Sequence, residues 1–247
     1  MYKKTHPIPQ ILHRAMRWGS TLHSYEPLRE DDRVVFTSGH ALIEIPRAIW
    51  DARVDPEHQG ALIGKRLRED DLTITGAQVD RVTREFKVPG ALAYRELEVC
   101  RRSLQRAVKS CLRASTEARR QGILAEDASR AMRIVYSDEN PHTIDFITHL
   151  QLKAGHPGHP APHRSSIIRG REVTEIRKGG QQWWQLHVDP AILDGLLTAI
   201  QRMSDATLVR LLITSDSRAK ESSIETYQPL AVVTHDGVFG LVMPVRV

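Results

Sequence analysis

Arg102, Arg106, Lys109 and Arg113 follow one another at i, i+4, i+7 and i+11. They lie in a stretch whose apolar residues, Leu97, Cys100, Leu104, Ala107, Val108, Cys111 and Leu112, keep helical spacing. On a helix over Glu96–Ala114 the four charges align in a stripe about 16 Å long, with Arg101 on the same polar side. Like charges one turn apart repel by about 0.2–0.5 kcal/mol per pair, and a purely structural surface more often intersperses glutamates. A stripe of this length matches several successive phosphates of a duplex, a contact that ignores base sequence and weakens steeply with salt. The plainer reading of the same residues is an arginine-rich solvated face. Arg14 and Arg17, with Lys3 and Lys4 nearby, form a smaller patch of the same kind.

Other chemistry-bearing residues assemble no active centre. His156, His159 and His163 sit in AGHPGHPAPHRSS, residues 154–166, a proline-broken loop without a cysteine or fixed carboxylate to complete a zinc site. Asp70-Asp71 and Asp138-Glu139 are adjacent pairs expected in turns, because neighbours on a strand face opposite ways. Trp183-Trp184 could stack on a base, yet one of two neighbours in a strand normally faces the core. The chain contains no P-loop, GxSxG, CxxC or HExxH. No catalytic residue, metal or cofactor is expected.

At 247 residues the chain is long enough for one large or two ordinary domains. A hydrophobic fraction of 40% supports a real core, while only 5% aromatic residues leaves most packing to aliphatic side chains. The net charge of +5, with 12 histidines able to add to it, points to an anionic partner, nucleic acid first. Cys100 and Cys111 are too far apart on one helix to bridge and read as reduced residues of a cytoplasmic protein. The N-terminal MYKKTHPIPQ has no apolar h-region, and no segment approaches a membrane span.

The elements that must position the stripe are short. Ile8, Ile11, Leu12, Ala15 and Met16 make a first helix, ended by Gly19-Ser20. VVFT and ALIEI form strands around Ser38-Gly39-His40, and Pro46 opens a short helix. Leu72–Thr75 and Val79–Val88 read as two further strands, and Pro89-Gly90 divides the chain into residues 1–89 and 90–247. Beyond the long helix, strands are expected near Met132–Tyr136 and Thr143–Leu152, and two more around Lys178-Gly179-Gly180 within Ile167–Leu186. Asp189-Pro190 starts a helix with an N-cap carboxylate and a proline at its first position. Ile192, Leu193, Leu196, Leu197, Ile200 and Met203 form that helix's buried stripe. Leu208–Thr214 is a strand, and Asp236-Gly237 between two apolar runs is a hairpin turn.

The last residues, YQPLAVVTHDGVFGLVMPVRV from Tyr227 to Val247, carry a resemblance. A Pro-Leu strand, an Asp-Gly turn and a strand ending V-M-P-V-R-V look like the C-terminus of bacterial DNA polymerase III β subunits, the sliding clamps. QLHVDPAILDGLLTAI, Gln185 to Ile200, is similar to that family's last helix. The resemblance is clear over Trp184–Val247, faint over Phe86–Gln182 and nearly absent before. It implies an α+β fold of clamp-like domains, each with two helices packed on antiparallel sheets, and a non-enzymatic processivity factor in DNA replication. In the family six domains close a ring with helices facing the central hole. Three domains per chain are usual there, so two domains per chain imply a homotrimer. Duplex DNA would then meet Arg14, Arg17, Arg102, Arg106, Lys109 and Arg113. The positions matching the family's peptide cleft are Val242, Met243, Pro244, Val245 and Arg246, with Val88, Pro89 and Leu92 as candidates to complete it. Partners implied are a DNA polymerase, a clamp loader and repair proteins. The rival reading is a CRISPR-type RNA-processing or RNA-binding protein of ferredoxin-like fold, with a histidine as general base.

Overall fold

A computed structural model describes Leu12 and residues 25–56, 72–87, 94–125, 131–137, 142–154, 162–175, 183–214 and 229–245. Within residues 94–242 one order of elements occurs twice. The first copy is β6 (Tyr94–Cys100), α3 (Arg101–Arg120), β7 (Ala131–Ser137), β8 (Thr143–His149) and β9 (Arg164–Glu175). The second is β10 (Trp183–Val188), α4 (Pro190–Met203), β11 (Leu208–Thr214), β12 (Leu230–Val233) and β13 (Phe239–Val242). Each copy forms an antiparallel meander of its last three strands and sends its first strand to the other copy. Thus β10 pairs with β7, and β6 pairs with β11. The two four-stranded halves meet where β9 pairs with β6, with register shifts beside Leu97.

The sheet continues past β13 into β4 (Ala41–Pro46), β3 (Arg33–Thr37) and β2 (Leu28–Arg29). α1 (Arg47–Arg53) follows β4, and β1 (Tyr25–Glu26) pairs in parallel with β5 (Leu72–Thr73) apart from the main sheet. α2 spans Gly76–Lys87.

Alternation along the strands divides the apolar residues between the two faces. Val34, Ile43, Leu97, Val99, Val232 and Val242 join the main core with Leu104, Val108, Leu193 and Leu197 from α3 and α4. Val35, Leu42, Ala231, Phe239 and Leu241 turn to the other face, where Val79 and Phe86 of α2 cover them. Leu12 is fully buried in the main core. α4 starts as expected: the Asp189 carboxylate accepts from Ala191 N at 2.7 Å and Ile192 N at 3.4 Å. It lies so close on β13 that a Cβ on Gly240 would stand 2.7 Å from Leu196 Cδ1. The Asp-Gly turn takes its positive φ, +93°, at Gly237.

Two expectations are corrected. Val79–Val88 is not a strand: Val79, Val82, Thr83 and Phe86 fall at i, i+3, i+4 and i+7 of α2, with Val79, Thr83 and Phe86 buried. The helix is started by a reciprocal cap, Gln78 N donating to Thr75 Oγ1 at 3.3 Å and Thr75 N to Gln78 Oε1 at 2.9 Å. Glu96–Cys100 is strand β6 rather than the first turn of the long helix, which instead runs on to Arg120. Leu97 fits a helix's spacing with Cys100 and Leu104 and a strand's alternation with Val99, and the distant β11 decides between them. The two strands expected around Lys178 are β9 and β10; β10 lies against β7 and β9 against β8 and β6. The ferredoxin-like alternative falls with this topology.

Most of the first expected helix, the adjacent acidic pairs, His156 and His159 lie outside the described residues. So do Val88, Pro89 and Leu92. No helix among the described residues is long and apolar enough to cross a membrane.

Candidate nucleic-acid face and apolar groove

α3 buries Leu104, Ala107, Val108, Cys111, Ser115 and Ala118 and thereby turns Arg102, Arg106, Lys109 and Arg113 outward. All four are exposed, so the predicted stripe exists on one face. Arg101, by contrast, turns inward: it is 9% exposed, and its Nη1 donates to the Ser204 carbonyl at 3.2 Å. Sequence spacing missed the far end of the face, because the helix carries a further exposed Arg120. Arg14 and Arg17 lie outside the described residues.

α4 packs beside α3 and carries little charge of its own. Gln105 Nε2 lies 3.3 Å from both Asp194 Oδ1 and Thr198 Oγ1. Lys109 Nζ stands 3.8 Å from the same Asp194 oxygen. Arg102, Arg106 and Arg113 make no ion pair with any described residue, whereas Lys109 does. His163 sits against the flank of α3, its Nε2 2.7 Å from Ser110 Oγ. Among the described residues no three His, Cys, Asp or Glu side chains gather as a metal-binding group.

A second feature lies on the other face of the sheet. A cavity of about 360 Å³ opens where α2 leaves the sheet partly uncovered. Leu42, Leu241 and Met243 line it from the sheet, Val79, Arg81 and Val82 from α2, and Ile74 from the segment just before that helix. Met243 and Val82 are 37% and 42% exposed, two of three large apolar side chains so open among the described residues.

The five C-terminal residues expected in a cleft part company here. Met243 lines the groove, held by its N–H donating to the His40 carbonyl at 2.8 Å. Val242 is fully buried in the main core, since successive residues of β13 face opposite ways. Pro244 and Val245 follow β10: Pro244 bridges to Val188, and Val245 N donates to the His187 carbonyl at 2.9 Å. Arg246 lies outside the described residues.

The wall formed by α2 is pinned by a charge cluster. Arg33 Nε donates to Glu30 Oε2 at 2.6 Å, and its Nη1 reaches Asp80 Oδ1 of α2 at 2.7 Å and Glu44 Oε2 at 3.4 Å. The Asp80 contact, with those of Glu30 and Glu44, raises the already high pKa of this guanidinium against the effect of burial. Sequence reasoning did not find this wall. The Thr75-Gly76-Ala77-Gln78 cap followed by Val79, Val82, Thr83 and Phe86 was the available signal.

Doubled β-α-β-β-β units with helices on one face of a continuous antiparallel sheet are the fold of a DNA sliding clamp. Among solved structures, the DNA polymerase sliding clamp from Pseudomonas aeruginosa matches with a TM-score of 0.50 at 16% identity. That match covers 89% of this chain and 56% of the Pseudomonas chain, so this chain spans little more than half the length of that clamp. The DNA polymerase III beta subunit from Thermotoga maritima matches at TM-score 0.39 and 9% identity, over 87% of this chain and 42% of that one. PCNA from Thermococcus kodakaraensis matches at 0.37 and 12%, over 87% and 67% respectively. No family model and no curated protein matches the sequence.

Proposed function

We propose that this chain is a non-enzymatic clamp-type protein that holds duplex DNA along α3 and tethers a polymerase, loader or repair protein at the Met243 groove. The observation that carries the reading is the use of both faces of one clamp-fold sheet. An arginine face stands over the main core, and an open apolar groove lies on the opposite side. DNA and a protein partner therefore need not compete. Arg102, Arg106 and Arg113 supply sequence-independent phosphate contacts, as a protein that slides requires. The groove's volume accommodates a few apolar side chains of a short peptide, and methionine adapts its shape to different ones.

Residues 1–89 and 90–247 form the two clamp-like domains of this reading. Three such chains supply the six domains of a closed ring, so the assembly is a homotrimer. The experiment is binding to a nicked circular plasmid and to the same plasmid linearised, with molar mass from light scattering. A trimer retained on the circle and lost from free ends supports the ring. A monomer that holds both forms equally and leaves with salt alone overturns it.

A further inference from the structure

The basic face of α3 has an acid set into it. Asp194 projects from α4 with its side chain 22% exposed, against 47% for Lys109. Its carboxylate is fixed by Gln105 Nε2 at 3.3 Å and lies 3.8 Å from the Lys109 ammonium. Gln105 and Lys109 are one turn apart on α3, so this carboxylate lies beside the middle of the stripe. The backbone there is equally fixed, since Thr198 Oγ1 donates to the Asp194 carbonyl at 2.8 Å.

We infer that Asp194 is an electrostatic brake on DNA binding, neutralising Lys109 and so denying it to the phosphate that would otherwise occupy the centre of the face. This rests on the DNA reading of α3 given above. The stripe then acts as two separate contacts, Arg102 with Arg106 on one side and Arg113 on the other. An unbroken row of cations would hold successive phosphates in one register. A carboxylate beside its centre loosens that grip, because it engages the Lys109 charge that a phosphate would otherwise take. Asp194 touches no reacting group and acts through Lys109.

The test is equilibrium binding of a labelled duplex over a range of salt, for the intact protein and for Asp194→Asn, Lys109→Gln, Arg106→Gln and the Asp194/Lys109 double variant. Asparagine keeps the shape and the oxygen that faces Gln105, which preserves the helix contact. Asp194→Asn is expected to tighten binding several-fold and to steepen the slope of log K against log salt by about 0.9, the yield of one added phosphate contact. Lys109→Gln alone changes little, and in its background most of the gain from Asp194→Asn disappears. Two results overturn the inference: an unchanged slope in Asp194→Asn, or a loss in Lys109→Gln as large as that in Arg106→Gln. Absence of binding by the intact protein, or an Arg106→Gln variant that binds as well, instead removes the DNA reading itself and the brake with it.

Discussion

Met243 and Val82 come from segments far apart in the chain and line one groove. Neither is held in the core, so replacing Met243 removes contact area for a ligand without opening a cavity in the protein. Met243→Asp is therefore expected to weaken an apolar peptide by at least tenfold, about 1.4 kcal/mol, with little change in the thermal midpoint. Fluorescence anisotropy with a labelled peptide carrying alternating leucine and phenylalanine measures the first, and calorimetry the second. Equal affinity for the two proteins would remove the groove from the functional reading. The neighbouring Val242 behaves oppositely: it lies in the main core, and shortening it destabilises the fold before it touches any partner.

The element on which the groove depends is α2. Its apolar residues cover Leu42, Phe239 and Leu241, and the Phe86 and Phe239 rings lie 6.2 Å apart. A 12-residue helix with a mostly polar surface is marginal by itself, so its start matters. Thr75→Ala removes the hydroxyl that accepts from Gln78 N and is expected to cost about 1 kcal/mol. The urea midpoint reports that cost, and peptide affinity falls with it as the groove's wall loosens. An unchanged midpoint would show that Arg33, through Asp80, and the Phe86 contact hold the helix without its cap.

At the scale of the whole molecule, each four-stranded half contains a partly buried carboxylate held by hydroxyl hydrogen bonds. Asp145 of β8 accepts from Arg164 and from Ser166 of β9, the latter at 2.5 Å. Asp236 in the terminal turn accepts from Thr234 and from Ser204 at the end of α4, the latter at 3.0 Å. Burial by itself would raise both pKa values, but these hydrogen bonds outweigh it and hold both carboxyls below their ordinary value. In the unfolded chain the same groups take protons at higher pH, so unfolding takes up protons. Their stabilisation is complete above the ordinary carboxylate range and is lost as pH falls through the depressed values. A double Asp145→Asn, Asp236→Asn variant is expected to be less stable than the parent at neutral pH and to converge with it on acidification. A gap in urea midpoint that stays constant from neutral to acid pH would contradict this.

Local signals alone determined the Asp189-Pro190 start of α4, the Asp-Gly turn and the outward row from Arg102 to Arg113. Each depends on spacing or turn chemistry within a few residues. Tertiary structure decided the rest, because it required partners distant in the chain. Leu97 belongs to a helical pattern with Cys100 and to a strand pattern with Val99 until β11 pairs with it. Val79, Val82 and Phe86 read as strand residues until the sheet face offers them apolar partners. Arg101 shares the composition of its basic neighbours, yet the Ser204 carbonyl draws it inside. Lys109 looked like a fourth equal cation. Only the packing of α4 against α3 set Asp194 beside it, and a charge contributed by another helix leaves no trace in the spacing of the first.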